Sequence, residues 1–298
     1  MTIYRPLACA LPLWLVAVSV CAAAPPPRDP NLPADYEASL DAMAAEFAYG
    51  ALKLEDGTTL AYHIREADGP NLVLIPGSWG DYLTFNRLVP HLDPHLRLII
   101  IELRGHGDSG PAIIGGTMES FADDVMAVIA HLGLKRYYVG GHSIGGMLAK
   151  EIAGRAPEGL AGAIPMEGWT HHTVQENAFG QIQDYVVAPA HAAERAANRA
   201  RGVARLTDAE REDFATIWRK WDGNRALETT PVPVLELWGD RGQAEPPARA
   251  IMQIPERDNI QIFWIPQASH GHLVENPKAG AGAVNAFIAD IEKNGPAK

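Results

Sequence analysis

Six short apolar runs, separated by longer amphipathic stretches, constrain the fold of this chain more than any other feature of its sequence. Each run is apolar on both faces, as strands buried inside a parallel sheet are. The runs are NLVLIP, LRLIIIEL, KRYYVGG, LAGAIPME, VPVLELWG and IQIFWIP. They predict a sheet whose two faces are both covered by other elements.

The stretches between the runs predict the covering helices. MESFADDVMAVIAHLG carries one helical stripe of apolar residues, namely Phe121, Val125, Val128, Ile129 and Leu132. Strands that alternate with helices form crossover units, so we expect an α/β fold, a mostly parallel sheet with helices on both faces. Ahead of the first run, FAYGALKL and TTLAYHIRE predict two strands joined at Asp56-Gly57, which is a hairpin signal.

Composition divides the remaining chain into segments. Residues 25–45 are Pro-rich and polar and predict a linker, whereas residues 46–169 and 231–298 carry the strands and helices of the core. Residues 170–230 are rich in alanine, arginine, glutamate and glutamine and contain no convincing strand. They predict a helical lid over the C-terminal edge of the sheet, where ligands bind in such folds, or a helical excursion without that role.

Residues 1–24 predict a secretory signal peptide. Arg5 precedes an apolar run that is short for a membrane-spanning helix, and small residues follow the run. We therefore expect a periplasmic or secreted protein, with a retained membrane anchor or a lipoprotein attached at Cys21 as alternatives. The chain has two cysteines, Cys9 and Cys21, and both would leave with the leader. The mature chain would then hold no disulfide and no thiol.

The stretch Gly141-His142-Ser143-Ile144-Gly145 predicts a nucleophile. It follows a predicted strand and precedes the helical stretch GGMLAKEIAG, which is the context that a G-x-S-x-G elbow requires. The turn lifts the Ser143 hydroxyl out of the sheet edge, and side chains at positions 141 and 145 would collide with neighbouring backbone. The amide of Ile144 lies at a helix N-terminus and can hold an oxyanion.

With this elbow and the loop IPGSWG, the chain resembles the α/β-hydrolase superfamily over roughly residues 46–294. The resemblance implies an α/β-hydrolase fold and a second oxyanion donor at the amide of Ser78. The family usually has His-Gly where this chain has Pro76-Gly77, and RGHGDSG resembles the family's loop after the next strand.

A histidine is needed to take the serine proton, because a free hydroxyl is a weak nucleophile at neutral pH. His270 stands in QASHGHLVENP at the distance from the following proline that the family favours, and His272 is the alternative, expected as a loop histidine. The adjacent pair His171-His172 lacks further ligand spacing, so we expect no metal site there.

The catalytic acid is displaced from its usual position in such hydrolases. The family commonly has aspartate three residues beyond the strand-ending Gly239, where this chain has Gly242. Glu167 ends the preceding apolar strand, and some haloalkane dehalogenases and zearalenone lactone hydrolases resemble this arrangement. We expect Glu167 to be the acid, with Asp240 and Glu245 as alternatives.

Serine, histidine and a carboxylate together imply acyl transfer without a cofactor. We expect a serine hydrolase that cleaves a carboxylic ester of a hydrophobic small molecule, with lactone or carbon–carbon bond hydrolysis as alternatives, and a ligand-binding pseudo-hydrolase as the non-enzyme alternative. The aromatic residues expected to line its pocket are Trp79, Trp169, Trp218, Trp221 and Tyr185. The formal net charge of −11 argues against a nucleic-acid partner. No membrane partner is expected once the leader is removed, and a homodimer stays open.

Overall fold

The computed structural model describes residues 29–112, 114–180, 188–203 and 206–295. The chain divides into two compact units, residues 1–30 and 31–298, and the second unit carries the features described below. The expected leader (residues 1–24) and Tyr185 lie outside the described residues.

An eight-stranded sheet forms the centre of this unit, in the order β1-β2-β4-β3-β5-β6-β7-β8. The strands are β1 (Ala48–Lys53), β2 (Thr59–Arg65), β3 (Asn71–Ile75), β4 (Arg97–Ile101), β5 (Tyr137–His142), β6 (Leu160–Met166), β7 (Val234–Gly239) and β8 (Ile260–Ile265). Among the described strands, the β1–β2 and β2–β4 pairs are antiparallel. From β4 to β8 every pairing is parallel. The mostly parallel sheet and the leading hairpin are therefore confirmed.

Apolar side chains cover both faces of the sheet. Leu72 and Leu74 of β3 join a cluster with α8 (Pro277–Asn294), whereas Val73 and Ile75 join the opposite cluster with α2 (Met118–His131) and α3 (Ile144–Arg155). Successive side chains of a strand point to opposite faces, so a strand buried on both faces must be apolar at every position. The continuous apolar runs have this origin.

The insertion between β6 and β7 is helical in its described part. It contains a π-helical turn (Gln175–Phe179), α4 (Pro189–Val203), α5 (Asp208–Lys220) and α6 (Asn224–Thr229). The side chains of Thr207 and Glu210 form a capping box that starts α5. A short helix, α7 (His272–Glu275), follows β8. No helix in the described ranges combines the length and apolar character needed to cross a bilayer.

The expected linker at residues 25–45 is wrong from Tyr36 onward, because Tyr36–Glu46 forms helix α1. Tyr36 and Met43 are each only 3% exposed, so the helix packs on the protein. The prolines end at Pro33, and the alanine, leucine and glutamate that follow are good helix formers. The tyrosine hydroxyl donates to Oδ1 of Asn198 at 2.8 Å, which ties α1 to α4.

Candidate active site

Ser143 occupies the sharp turn between β5 and α3, with φ of 56°. Its amide donates to the carbonyl oxygen of Met166 at 2.8 Å, which fastens the turn to the end of β6. A Cβ on Gly141 would lie 2.5 Å from the backbone of Gly145, and one on Gly145 would lie 2.1 Å from the carbonyl oxygen of Ile75. The two glycines are therefore required by close backbone approach.

The loop after β3 lies directly beside this turn. A Cβ on Gly77 would lie 3.1 Å from Cβ of Ser143, so the next amide, of Ser78, belongs to a segment in contact with the serine. Ile144 is the first residue of α3, where amides have no partner within the helix. Ser78, Ser143 and Ile144 all line one cavity.

Glu167 lies at the end of β6 and meets His270, which follows β8. The Nδ1 atom of His270 is 3.3 Å from Oε2 of Glu167. The carboxylate is fully buried, whereas 21% of the His270 side chain is exposed. The amide of Glu167 donates to the carbonyl oxygen of Leu237 in β7, so the backbone that carries the acid is held between two strands. The contact expected between these two side chains is present.

Arg241 is a partner of Glu167 that the sequence did not suggest. Its Nη1 donates to Oε1 of Glu167 at 2.8 Å and its Nη2 to Oε2 at 2.7 Å, while the amide of Gly239 also donates to Oε1 at 2.7 Å. The guanidinium is fully buried and lies 3.6 Å from the ring centroid of Phe179. A buried carboxylate needs such partners, because charge without them is costly in the interior.

These contacts set the charge of the acid. Burial alone would raise the pKa of Glu167, but the Arg241 cation and the hydrogen bonds from His270 and Arg241 outweigh burial and hold the pKa well below its usual value. Glu167 is therefore a carboxylate at neutral pH, the form that can accept a hydrogen bond from the protonated Nδ1 of His270.

The two other acids considered from sequence lie elsewhere. Oδ1 of Asp240 accepts from the amides of Gly242 and Gln267, both at 2.8 Å, so this side chain holds the turn after β7. Glu245 is exposed. Neither contacts His270 in the described structure.

Two further histidines surround His270. Nε2 of His142 donates to the carbonyl oxygen of His270 at 2.7 Å, and burial followed by the neighbouring histidines lowers the pKa of His142 well below its usual value. His272, expected as a loop histidine, is instead the first residue of α7 and is fully buried. Burial lowers its pKa to about 4.

Of the adjacent pair His171-His172, His171 uses Nδ1 to contact Oγ1 of Thr173 at 2.8 Å.

A cavity of about 670 Å³ opens above Ser143 and His270. Trp79, Trp169 and Trp218 line it, and the Trp169 ring stacks on the His270 ring with a centroid distance of 5.5 Å and an angle of 7°. Trp221 does not line it; this side chain is 5% exposed and donates from Nε1 to Glu151 at 3.0 Å. Three of the four described aromatic candidates therefore face the cavity.

One group of side chains away from the cavity has the donor types of a metal site. The ligand atoms of His63, Glu102 and Asp108 lie within 4.8 Å of one another. Both oxygens of Glu102 already accept backbone amides, from Tyr82 at 2.9 Å and from Asp108 at 2.6 Å. Glu102 therefore serves first to hold the two loops that follow β3 and β4.

Arg241 and His142 were missed for different reasons. Glu167 ends a fully apolar strand, and a buried carboxylate there needs a cation as its partner. Arg241 follows the end of the next strand, β7, by two residues, so the sequence did contain an indication of this pair. His142 sits inside the elbow motif, but its bond to a carbonyl 128 residues away has no signal in the sequence.

Comparisons with known proteins agree with this architecture. A family model described as alpha/beta hydrolase fold matches residues 70–267. The dihydrolipoyllysine-residue acetyltransferase component of the acetoin cleaving system of Pseudomonas putida is 34% identical over 93 residues, 31% of this chain and 25% of that protein. The chain spans less than half of the length of the next two curated relatives as well.

Solved structures match over a larger part of the chain. The enol-lactonase of Burkholderia xenovorans LB400 superposes with a TM-score of 0.64 at 22% identity, covering 80% of this chain and 100% of that one. A thermophilic esterase of Thermogutta terrifontis gives a TM-score of 0.64 at 22% identity, covering 82% and 99%. At this identity the likeness shows the fold.

Proposed function

The chain belongs to the alpha/beta hydrolase fold family, and we propose that it is a serine hydrolase that cleaves a carboxylic ester through an acyl-enzyme. The observation that carries the proposal is the contact of the buried Glu167 with His270, which lines the same cavity as Ser143. An ionised acid on Nδ1 leaves Nε2 of the imidazole free to accept a proton, which is the tautomer that a general base needs.

In the proposed reaction Ser143 attacks the carbonyl carbon and His270 takes the hydroxyl proton. The proton then passes to the leaving oxygen, the carbon–oxygen bond breaks, and the acyl group stays on Ser143. A water molecule, deprotonated by His270, releases the acid and restores the serine. The amides of Ser78 and Ile144 stabilise the negative charge that develops on the carbonyl oxygen in both halves. Trp79, Trp169 and Trp218 provide the apolar surface for the substrate.

A lactone is the second candidate substrate. The fold likeness to an enol-lactonase favours it, because ring opening uses the same attack on a carbonyl and keeps the leaving oxygen on the same molecule. The two substrates differ in whether an alcohol departs before the acyl-enzyme is hydrolysed.

Labelling with a fluorophosphonate, followed by a panel of chromogenic esters and lactones, tests the proposal. We expect the wild-type protein to label and to turn over at least one substrate, and Ser143→Ala to do neither. Ser120→Ala, which removes a serine of α2 outside the cavity, is the matched control and should label normally. A wild-type protein that does not label, or a labelled Ser143→Ala variant, would rule out Ser143 as the nucleophile and favour a ligand-binding relative.

We also propose that residues 1–24 direct export and are removed. Arg5, the apolar run and the small residues that follow support this proposal. The mass of the protein recovered from the periplasm of an expressing bacterium tests it, and a protein that keeps Met1 and stays in the cytoplasm would contradict it.

A further inference from the structure

Helices α4 and α5 of the lid, the insertion between β6 and β7, form one wall of the cavity, and this wall carries positive charge. Arg195 and Arg199 of α4 and Arg219 of α5 line the cavity, and none of its described lining residues is an aspartate or a glutamate. The chain as a whole has a formal net charge of −11, so this wall departs from the average of the protein. A cleft lined by one sign of charge concentrates ligands of the opposite sign.

Arg195 lies beside the proposed base. Its side chain packs against the backbone of Gly271, the residue after His270. A Cβ at that position would lie 2.5 Å from Cδ and 2.7 Å from Nε of the arginine. Any side chain at position 271 would therefore displace Arg195 from the His270 loop.

The guanidinium of Arg195 forms one ion pair, through Nη1, with the buried Glu275 carboxylate, and its other nitrogens have no partner in the described ranges. Its Nη1 lies 3.4 Å from Oε1 of Glu275 and 3.5 Å from Oγ of Ser269, both long contacts. Glu275 is already held at shorter range by Ser269, through the amide at 2.6 Å and the hydroxyl at 2.9 Å. A guanidinium has five N–H donors, and within the described ranges only Nη1 has a partner.

The other two arginines rest on aromatic rings. Arg199 lies 5.9 Å from the ring centroid of Trp79, and Arg219 lies 5.0 Å from that of Trp218. Neither forms an ion pair with a described carboxylate. A ring holds a guanidinium in place without neutralising it, so both cations contribute to the potential in the cavity.

We propose that the substrate carries a carboxylate and that Arg195 binds it, with Arg199 and Arg219 adding positive potential. This inference rests on the proposed function and narrows the substrate class to esters or lactones with a free carboxylate. The planar fork of an arginine matches the two oxygens of a carboxylate, which favours this anion.

Two pairs of isosteric esters test the proposal on both sides of the scissile bond. The members of the first pair share a para-nitrophenyl leaving group and one acyl chain. That chain ends in a carboxylate in the adipate monoester and in an isopropyl group in the other member. The second pair is the butyrate esters of meta-hydroxybenzoate and meta-isopropylphenol. We expect the wild-type protein to favour the carboxylate member of at least one pair in kcat/KM, through a lower KM.

Arg195→Gln should reduce this preference about tenfold, whereas Arg195→Lys should retain part of it. Arg199→Gln should reduce it less, and serves if Arg195→Gln fails to fold. Lys220→Gln is the matched control, because it removes an exposed lid cation outside the cavity and should leave the preference unchanged. Preference for the isopropyl member in both pairs, or an unchanged preference in Arg195→Gln, would overturn the inference.

Binding of adipate separates this inference from the proposed function. Calorimetry with the Ser143→Ala protein needs no turnover, and adding Arg195→Gln should weaken adipate binding at least about tenfold. Equal binding by the two proteins would overturn the carboxylate site even if esters are cleaved. Adipate binding without any ester turnover by the wild-type protein would instead reject the proposed function and keep the site.

Discussion

The Arg241 guanidinium forms a bidentate ion pair with the Glu167 carboxylate, and both side chains are fully buried. Oε2 of the same carboxylate is 3.3 Å from Nδ1 of His270. One oxygen therefore contacts both a permanent cation and the proposed base. The arginine fixes the direction of the carboxylate and keeps it ionised, so any change at Glu167 also changes the environment of a buried cation.

Glu167→Gln should lower both turnover and stability. Loss of the carboxylate removes the group that selects the His270 tautomer, so we expect kcat to fall by roughly a thousandfold or more. It also leaves the Arg241 cation buried without its partner, which should lower the free energy of unfolding by about 3–5 kcal/mol. Steady-state kinetics and urea denaturation measure the two effects.

The double variant Glu167→Gln/Arg241→Met separates the two effects. It removes the unpaired cation, so stability should recover by a large part of the loss while turnover stays low. Recovery of turnover in the double variant would show that Glu167 acts only through folding.

Ser143→Gly should stabilise the protein relative to Ser143→Ala. Residue 143 has φ of 56°, a region that glycine adopts without the strain that a side chain meets there. Both variants lack the hydroxyl and should be inactive, so their difference isolates the strain. We expect about 1 kcal/mol from paired urea denaturation, and equal stability would mean that the elbow stores no strain.

Gly145→Ala should destabilise the protein strongly. Its Cβ would lie 2.1 Å from the carbonyl oxygen of Ile75, so β3 and the elbow would have to separate. Gly282→Ala in α8 is the matched control, because nothing lies within 4 Å of a Cβ there. That control should gain about 0.5–1 kcal/mol from helix propensity. Thermal denaturation of both variants checks the sign of each change, and a destabilised control would weaken the comparison.

Buried histidines should make the protein less stable as the pH falls from about 6.5 to 4. Burial lowers the pKa of His272 to about 4, whereas an unfolded histidine has a pKa of about 6.5. In this window the unfolded chain binds a proton that the native protein does not, so stability falls by up to about 1.4 kcal/mol per pH unit for this one residue.

His272→Leu should remove that contribution. Urea denaturation between pH 7 and pH 4.5 should show a shallower loss of stability in the variant, by up to one proton. Burial lowers the pKa of His106 to about 4 as well, so a part of the wild-type slope should remain. A slope equal to that of the wild type would show that folding does not lower the pKa of His272.

The strands and the elbow could be predicted because their causes are local. A strand buried on both faces must be apolar throughout, which gives a continuous apolar run in the sequence. The close approach of Gly145 to Ile75 admits only glycine, which gives the glycine of the elbow motif. The meeting of Glu167 with His270 was also predictable, since the carboxyl ends of parallel strands share one edge of the sheet, and only β7 lies between β6 and β8.

The contacts of the lid could not be predicted in this way. Helix α4 is anchored by Arg201 to Asp81, with Nη2 2.9 Å from Oδ1, and by Arg87 to Glu194, with Nε 2.7 Å from Oε1. These pairs join residues more than a hundred positions apart. Nothing in the order of residues distinguishes these arginines from Arg195, which faces the cavity.

The attachment of α1 to the lid has a practical consequence for any shortened form of this protein. A chain that starts at Phe47 would keep all eight strands and every proposed catalytic side chain. It would lose the Tyr36 hydroxyl, which accepts from Nη1 of Arg201 at 2.8 Å and donates to Asn198. We expect such a truncated protein to keep the sheet, whereas helix α4, which lines the cavity, would lose one of the groups that anchor it.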